Sequence, residues 1–103
     1  MSSTTDPDEQ FWELADSFIS LANEHGQKID PNKVDTALRY AAARFSAHIV
    51  ASQSPSAEAI NADKEKATKH FSEQYQQMFA DNLEDYATNF DAYAERSKQE
   101  QPS

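Results

Sequence analysis

Three histidines and eighteen acidic residues are the side chains that could bind a metal ion in this sequence of 103 residues. A helical di-iron centre needs a glutamate three residues before each ligating histidine. The residues at that spacing before His25, His48 and His70 are alanine, phenylalanine and alanine. The sequence therefore predicts no metal site and no other cofactor.

Nucleophilic catalysis has little support in the sequence. There is no cysteine, so a thiolate nucleophile, a disulfide framework and a sulfur ligand for zinc are excluded together. The single glycine rules out a glycine-rich phosphate loop, and no serine stands between glycines in a nucleophile elbow. These features favour a non-enzymatic function.

One group of side chains could still serve a ligand. Arg39, Tyr40, Arg44 and His48 lie in the most apolar stretch of the chain. Arginine suits bidentate contacts with carboxylates or phosphates, so a small-molecule binding protein or an enzyme that uses this helix is one alternative. The plainer interpretation pairs the two arginines with acids of the first helix or of residues 81–91.

Composition points to one acidic helical domain. Valine and isoleucine are few, whereas alanine, glutamate, glutamine, lysine and aspartate are abundant, which favours helices over strands. The net charge of −9 opposes contact with nucleic-acid phosphates and anionic membranes. The first residues resemble no signal peptide, and no segment has the apolar length of a membrane span, so we expect a cytoplasmic protein.

The first helix is expected to begin with Asp6 as N-cap and Pro7 at its first position. The apolar residues of this helix recur every three or four positions. Residues 1–5, which precede it, are expected to form a disordered tail. Gly26, the only glycine, stands where a left-handed residue would end the helix.

The second helix has two apolar faces. Asp30 and Pro31 repeat the cap-plus-proline start, and Ile29 and Val34 have the spacing of a hydrophobic staple. One stripe, which includes Phe45, can face the first helix. A second stripe lies on the opposite side, and an ordinary surface helix would not carry it. With the neighbouring polar residues, it forms the candidate interface or ligand face: Arg39, Tyr40, Ala43, Arg44, Ala47, His48 and Val50.

The C-terminal part should form a third helix and a short fourth one. Ser54 is the expected cap, so the third helix would start near Pro55 or Ala57. An aromatic stripe follows from Phe71 onward. Asp81 to Glu84 has the form of a capping box, which predicts a kink or break near Asp81 and a fourth helix to about Arg96. Residues 97–103 are expected to be a disordered tail.

Three segments resemble a known family: 11–16 (FWELAD), 37–45 (ALRYAAARF) and 71–86 (FxEQYxxMFxxNLxDY). They resemble domain of unknown function 3144, a family of small proteins found mostly in gammaproteobacteria. The resemblance covers roughly residues 8–93. It implies a compact helical bacterial protein without an assigned activity, so no residue role can be carried over.

The sequence thus predicts an all-α protein, a small helical bundle with one domain at residues 6–96. The second stripe of the second helix must be covered by the C-terminal third of the chain, by a second copy of the protein, or by both. The leading hypothesis is a non-enzymatic interaction module that forms a homo-oligomer. Besides the small-molecule or enzyme alternative, the chain could be an acidic regulator that binds a basic protein partner.

Overall fold

The computed structural model describes the backbone of residues 7–100 and the side chains of residues 8–96. Four helices account for nearly all of this range: α1 (Pro7–Gly26), α2 (Pro31–Ser52), α3 (Ala57–Thr88) and α4 (Phe90–Glu100). No strand occurs in the described range. The predicted all-α class is therefore confirmed. The chain divides into two units, residues 1–53 with α1 and α2, and residues 54–103 with α3 and α4.

The start signals place α1 and α2 as expected. α1 begins at Pro7, while its predicted cap, Asp6, lies outside the described residues, as does the predicted tail at residues 1–5. At α2, the Asp30 carboxylate accepts a hydrogen bond from the amide of Asn32 at 3.1 Å. This bond satisfies one of the amides that a helix start leaves without an intrahelical partner. The predicted cap of α2 is confirmed.

The end of α1 differs from the prediction. Gly26 is the last helical residue and does not have a positive φ angle, so the expected left-handed ending was wrong. Instead, the amides of Lys28 and Ile29 both donate to the carbonyl of His25, at 3.0 and 2.9 Å. Bonds to a carbonyl three or four residues back close the last turn without a left-handed residue.

The cap of α3 is Ser56 and not Ser54. The Ser56 hydroxyl accepts from the amide of Ala59 at 3.1 Å, and the Ser56 backbone is extended. α2 ends at Ser52, as the sequence Gln53–Ser56 predicts, and α3 starts at Ala57. Because Ser56 lies directly before the first helical residue, its hydroxyl reaches the third amide of the helix, which is the usual N-cap geometry.

α3 continues through the predicted break at Asp81 and ends at Thr88. Gln77 donates to the Asp81 carboxylate at 2.9 Å, and the Asn82 side chain donates to the carbonyl of Met78 at 2.8 Å. Both bonds join residues four apart in a continuing helix, so Asp81 does not act as a cap. The fourth helix does exist, but the break that precedes it is at Asn89, whose backbone leaves the helical region.

α4 ends at Glu100, four residues beyond the end predicted near Arg96. The segment from residue 97 to residue 100 contains no glycine or proline. The first residue that opposes helix continuation is Pro102, which disfavours a helical residue before it. Residues 101–103 of the predicted tail lie outside the described range.

The ending of α1 gives the first prediction. A Cβ atom at Gly26 would have no heavy atom within 4 Å, and φ is not positive, so alanine fits without strain. Gly26→Ala should raise the free energy of unfolding by roughly 0.5–1 kcal/mol, because alanine loses less backbone entropy than glycine. Urea unfolding followed by circular dichroism at 222 nm measures this change. A clear loss of stability would instead indicate the left-handed conformation at Gly26.

Candidate functional site

α2 presents its second apolar face away from α1. This face is formed by Tyr40, Ala43, Ala47 and Val50, and it lies about half a helical turn around from Val34 and the other α2 residues next to α1. Tyr40 is 68% exposed, both alanines are exposed and Val50 is half-buried. Within residues 8–53, only Val50 of this face is partly buried, and the rest of the face is uncovered.

The polar residues beside this face do not converge on one point. The Arg39 guanidinium donates to the Asp35 carboxylate at 3.2 Å and to the Thr36 hydroxyl at 3.3 Å, all within α2. Arg44 and His48 are exposed, and the His48 ring lies 6.1 Å from the ring of Phe45. The arginine pairing expected with α1 or with residues 81–91 is replaced, for Arg39, by an ion pair within its own helix.

A cleft of about 500 Å³ lies between α1 and α2, next to the turn that joins them. Its walls are mainly apolar: Phe18, Leu21 and Ala22 on α1, and Val34, Ala37 and Leu38 on α2. Ile29 lines it at the turn, and His25 and Lys33 are its ionisable residues. Ile29 and Val34 share this cleft, which fits their predicted role as a staple.

None of the seven predicted site residues lines this cleft. The apolar stripes of the first two helices predict a contact between them, but they do not show that this contact is open. The only signal of this cleft in the sequence is the regular spacing of apolar residues on both sides of the short turn between α1 and α2. Phe18 remains 58% exposed, Leu21 51% and Leu38 40%, so the cleft is an incompletely covered helix contact. Such an arrangement suits another helix better than a small polar ligand.

No side chain is buried among residues 8–96. Eleven large apolar residues in α1, α2 and their turn are between 38% and 68% exposed. A large apolar side chain presents roughly 150–250 Å² when fully exposed, so these eleven leave on the order of 1,000 Å² uncovered. The largest apolar patch on a typical monomer is only about 300–600 Å². Summed over this unit, the exposed apolar area is larger than that of such a patch.

The second unit carries a matching excess. Seven large apolar side chains in α3 and at the start of α4 are exposed, and they form the aromatic stripe: Phe71, Tyr75, Met78, Phe79, Leu83, Tyr86 and Phe90. The Tyr75 and Phe79 rings are stacked at 5.9 Å with an interplanar angle of 10°. From the sequence alone, such a stripe is more often core than a ligand pocket, and any surplus would mark a partner surface. In the described residues, the whole stripe is exposed.

Asp85 holds the junction between α3 and α4. Its carboxylate accepts from the Asn89 side-chain amide at 2.9 Å and from the Tyr93 hydroxyl at 2.6 Å. The Asp85 carbonyl accepts from the Asn89 backbone amide at 3.0 Å. The centroids of the Tyr86 and Tyr93 rings lie 4.5 Å apart. This cluster was not predicted from the sequence, although an aspartate and an asparagine four residues apart can indicate such a contact.

The pKa of Tyr93 is raised above its ordinary value of 10.0. The main cause is the hydrogen bond that its hydroxyl donates to Asp85, followed by desolvation and by repulsion from the Asp85 charge. Each cause favours the neutral phenol over the phenolate. Tyr93 contacts Asp85 of α3 and does not lie in a pocket. We therefore assign its raised pKa to the α3–α4 junction and not to catalysis.

The described residues contain neither a metal-binding cluster nor a membrane-spanning helix. No group of three or more histidine, aspartate or glutamate side chains in this part of the chain could hold a metal ion. Among residues 7–100, none of the helices combines the length and the apolar character that crossing a bilayer requires.

The chain matches a known protein family. The family described as "Protein of unknown function (DUF3144)" matches residues 11–87, from the first turns of α1 to the end of α3. No curated protein and no solved structure is significantly similar to the chain.

The junction gives the second prediction. A group with a raised pKa in the folded state stabilises that state fully below its unfolded pKa, and this contribution is lost as the pH rises through the folded value. The α3–α4 junction should therefore lose stability as the pH rises above 10.0. Thermal unfolding between pH 9 and pH 12, together with the Tyr93 ring signals in NMR spectra, measures this loss.

Tyr93→Phe is the matched control, since it keeps the ring next to Tyr86 and removes the ionisable hydroxyl. Tyr93→Phe should lower the stability of the protein slightly at neutral pH. It should also abolish the part of the loss of stability at alkaline pH that Tyr93 causes. If the wild type and Tyr93→Phe lose stability in parallel above pH 10, the contact with Asp85 does not control the junction.

Proposed function

We propose that this chain, which belongs to the DUF3144 family, is a non-enzymatic helical interaction module that forms a homo-oligomer. The observation that carries the proposal is the absence of any buried side chain among residues 8–96, combined with eighteen large apolar residues that remain more than a third exposed. Burial of apolar surface is the main favourable term in folding and in most protein association. An exposed surface of this extent is expected to be buried by assembly.

The area is large enough for a stable interface. A standard protein–protein interface buries about 800 Å² on each partner. The first unit alone leaves on the order of 1,000 Å² of apolar surface uncovered by the same estimate as above. We therefore propose that assembly completes a helical bundle, and that residues 6–96 act as one domain in this state.

The second face of α2 is the proposed centre of the interface. Tyr40 can act as an aromatic anchor, since tyrosine combines a large apolar area with a polar tip and is enriched at interface hot spots. Ala43 and Ala47 are small, so a partner helix can approach the α2 backbone closely. Arg39 and Arg44 flank this face and would lie at its rim.

The alternatives have less support. A small-molecule site would need Arg39, Tyr40, Arg44 and His48 around a common cavity, but all four are exposed and the α1–α2 cleft has other walls. An acidic regulator would present its acids on one face without bases. Lys64 and its neighbours interrupt the acids at the start of α3, so this function is the weaker candidate.

The third prediction tests the assembly. Tyr40→Glu and Ala47→Glu should each convert the oligomer into a monomer of 11.6 kDa while the helical content is retained, because each places a charge in a surface that assembly would desolvate. Size-exclusion chromatography with light scattering, from micromolar to near-millimolar concentration, measures the mass. Circular dichroism measures the helical content.

Ser20→Glu is the matched control, since it adds the same charge at an exposed position on the polar side of α1. It should leave the mass of the assembly unchanged. A wild-type chain that stays at 11.6 kDa over the whole concentration range would refute the proposed oligomer, and so would glutamate variants that keep the mass of the wild type.

A further inference from the structure

The cleft between α1 and α2 differs in charge from the chain as a whole. The chain contains eighteen acids and nine lysines or arginines, but no acid lines the cleft. Its ionisable residues are His25 and Lys33. At physiological ionic strength, charges more than about 8 Å away are largely screened, so these two residues count for more inside the cleft than the net charge of −9. The cleft therefore favours an anion over a cation.

Both ionisable residues lie at one end of the cleft. His25 is in the last turn of α1 and Lys33 is in the first turn of α2, on either side of the turn that joins the two helices. Phe18 and Leu38 lie farther from this turn. Phe18 precedes His25 by seven residues, which corresponds to roughly 10 Å along the helix. The cleft therefore has a polar end at the turn and an apolar end away from it.

The two acids closest to Lys33 in sequence already have partners. The Asp30 carboxylate accepts from a backbone amide of α2 at 3.1 Å, and Asp35 pairs with Arg39 at 3.2 Å. Within the described range, the side chains of His25 and Lys33 make no hydrogen bond or ion pair. Both residues are exposed. Their polar atoms are therefore available to an anionic group that enters the cleft.

The remaining walls offer apolar surface of a suitable size for a hydrocarbon chain. The volume of about 500 Å³ falls within the range of small-molecule sites, about 300–1,000 Å³. Such sites combine mainly apolar walls with a few polar groups that fix the orientation of the ligand. Here the ionisable residues are grouped at one end and the other lining residues are apolar. This arrangement matches a ligand with one anionic head and one apolar chain.

On these grounds we infer that the cleft binds a medium-chain fatty acid, with its carboxylate at His25 and Lys33 and its chain directed toward Phe18 and Leu38. The Lys33 ammonium pairs with the carboxylate, and a ring nitrogen of His25 donates a hydrogen bond to it. The chain is buried against the apolar walls, which supplies most of the affinity. The second face of α2 takes no part in this site, so the inference is independent of the proposed homo-oligomer.

The fourth prediction is a titration of the full chain with fatty acids. Isothermal titration calorimetry with hexanoate, octanoate and decanoate, each below its critical micelle concentration, should show saturable binding to one site per chain. The affinity should rise severalfold from each acid to the next, because each adds two methylene groups to the buried chain. 1-Octanol and octylamine have a chain of the same length without the negative charge, and each should bind at least fivefold more weakly than octanoate.

Two variants test the two ends of the site separately. Lys33→Gln should weaken the binding of octanoate at least fivefold and leave the binding of 1-octanol unchanged, because it removes the charge and keeps the apolar walls. Ala37→Phe should abolish the binding of both ligands, because the added ring occupies the cleft. Ala37 is exposed, so the larger side chain does not have to enter a packed core.

The matched controls make the same changes outside the cleft. Lys28→Gln removes a positive charge from the turn at a residue that does not line the cleft, and Ala62→Phe adds the same ring to an exposed position of α3. Both controls should bind octanoate as the wild type does. NMR spectra of the ¹⁵N-labelled wild type provide a measurement that needs no variant, since octanoate should shift the amide signals of the cleft residues most.

Saturable binding of octanoate that depends on Lys33 and shifts the cleft amides supports the inference. The absence of saturable binding at millimolar octanoate would overturn it, and so would equal affinities for octanoate and octylamine. Amide shifts confined to the aromatic stripe would place the ligand elsewhere and refute the site. If octanoate binds to the Tyr40→Glu variant but not to the wild type, a helix occupies the cleft in the native assembly and the inference is wrong.

Discussion

Apolar side chains in this protein occupy more of each helix surface than one neighbouring helix can cover. A helix pair in water is stable when the apolar side of each helix faces the other and the remaining sides are polar. Here α1 packs against one face of α2 but leaves Leu38 40% and Phe45 65% exposed, and the second face of α2, with Tyr40 and the two alanines, is exposed as well. The open α1–α2 cleft and the aromatic stripe are further apolar surfaces that the described helices leave uncovered.

Local polar contacts fix the helices without providing a core. Asp30 and Ser56 cap α2 and α3 through single hydrogen bonds to backbone amides, and Asp85 holds α4 against the end of α3. Each of these contacts spans no more than eight residues. Contacts of this kind define where a helix starts and ends and contribute about 1 kcal/mol each. They do not replace the burial of apolar surface, which dominates the stability of folded proteins.

Charge and apolar surface together narrow the range of functions. An apolar face alone would accept many partners, and an acidic chain alone would accept many basic ones. Residues 36–57, which include Arg44, contain no aspartate or glutamate, whereas residues 71–95 are rich in aromatic residues and contain no lysine or arginine. In the proposed assembly, apolar contact would supply most of the affinity. The described residues contain no group of three or more histidine, aspartate or glutamate side chains that could hold a metal ion.

The sequence by itself determined the helical class, the family and most helix boundaries, because these depend on side chains within a few residues of each other. The Asp30 cap and the start of α1 at Pro7 could be predicted for this reason. The ending at Gly26 and the break at Asn89 could not, because several local hydrogen-bond patterns compete there and only the folded backbone selects one. Only the tertiary structure decided which apolar stripes are covered, since burial depends on helices distant in sequence. It placed Phe18 and Leu38 at an open cleft and left Tyr40 exposed, which the spacing of apolar residues does not reveal.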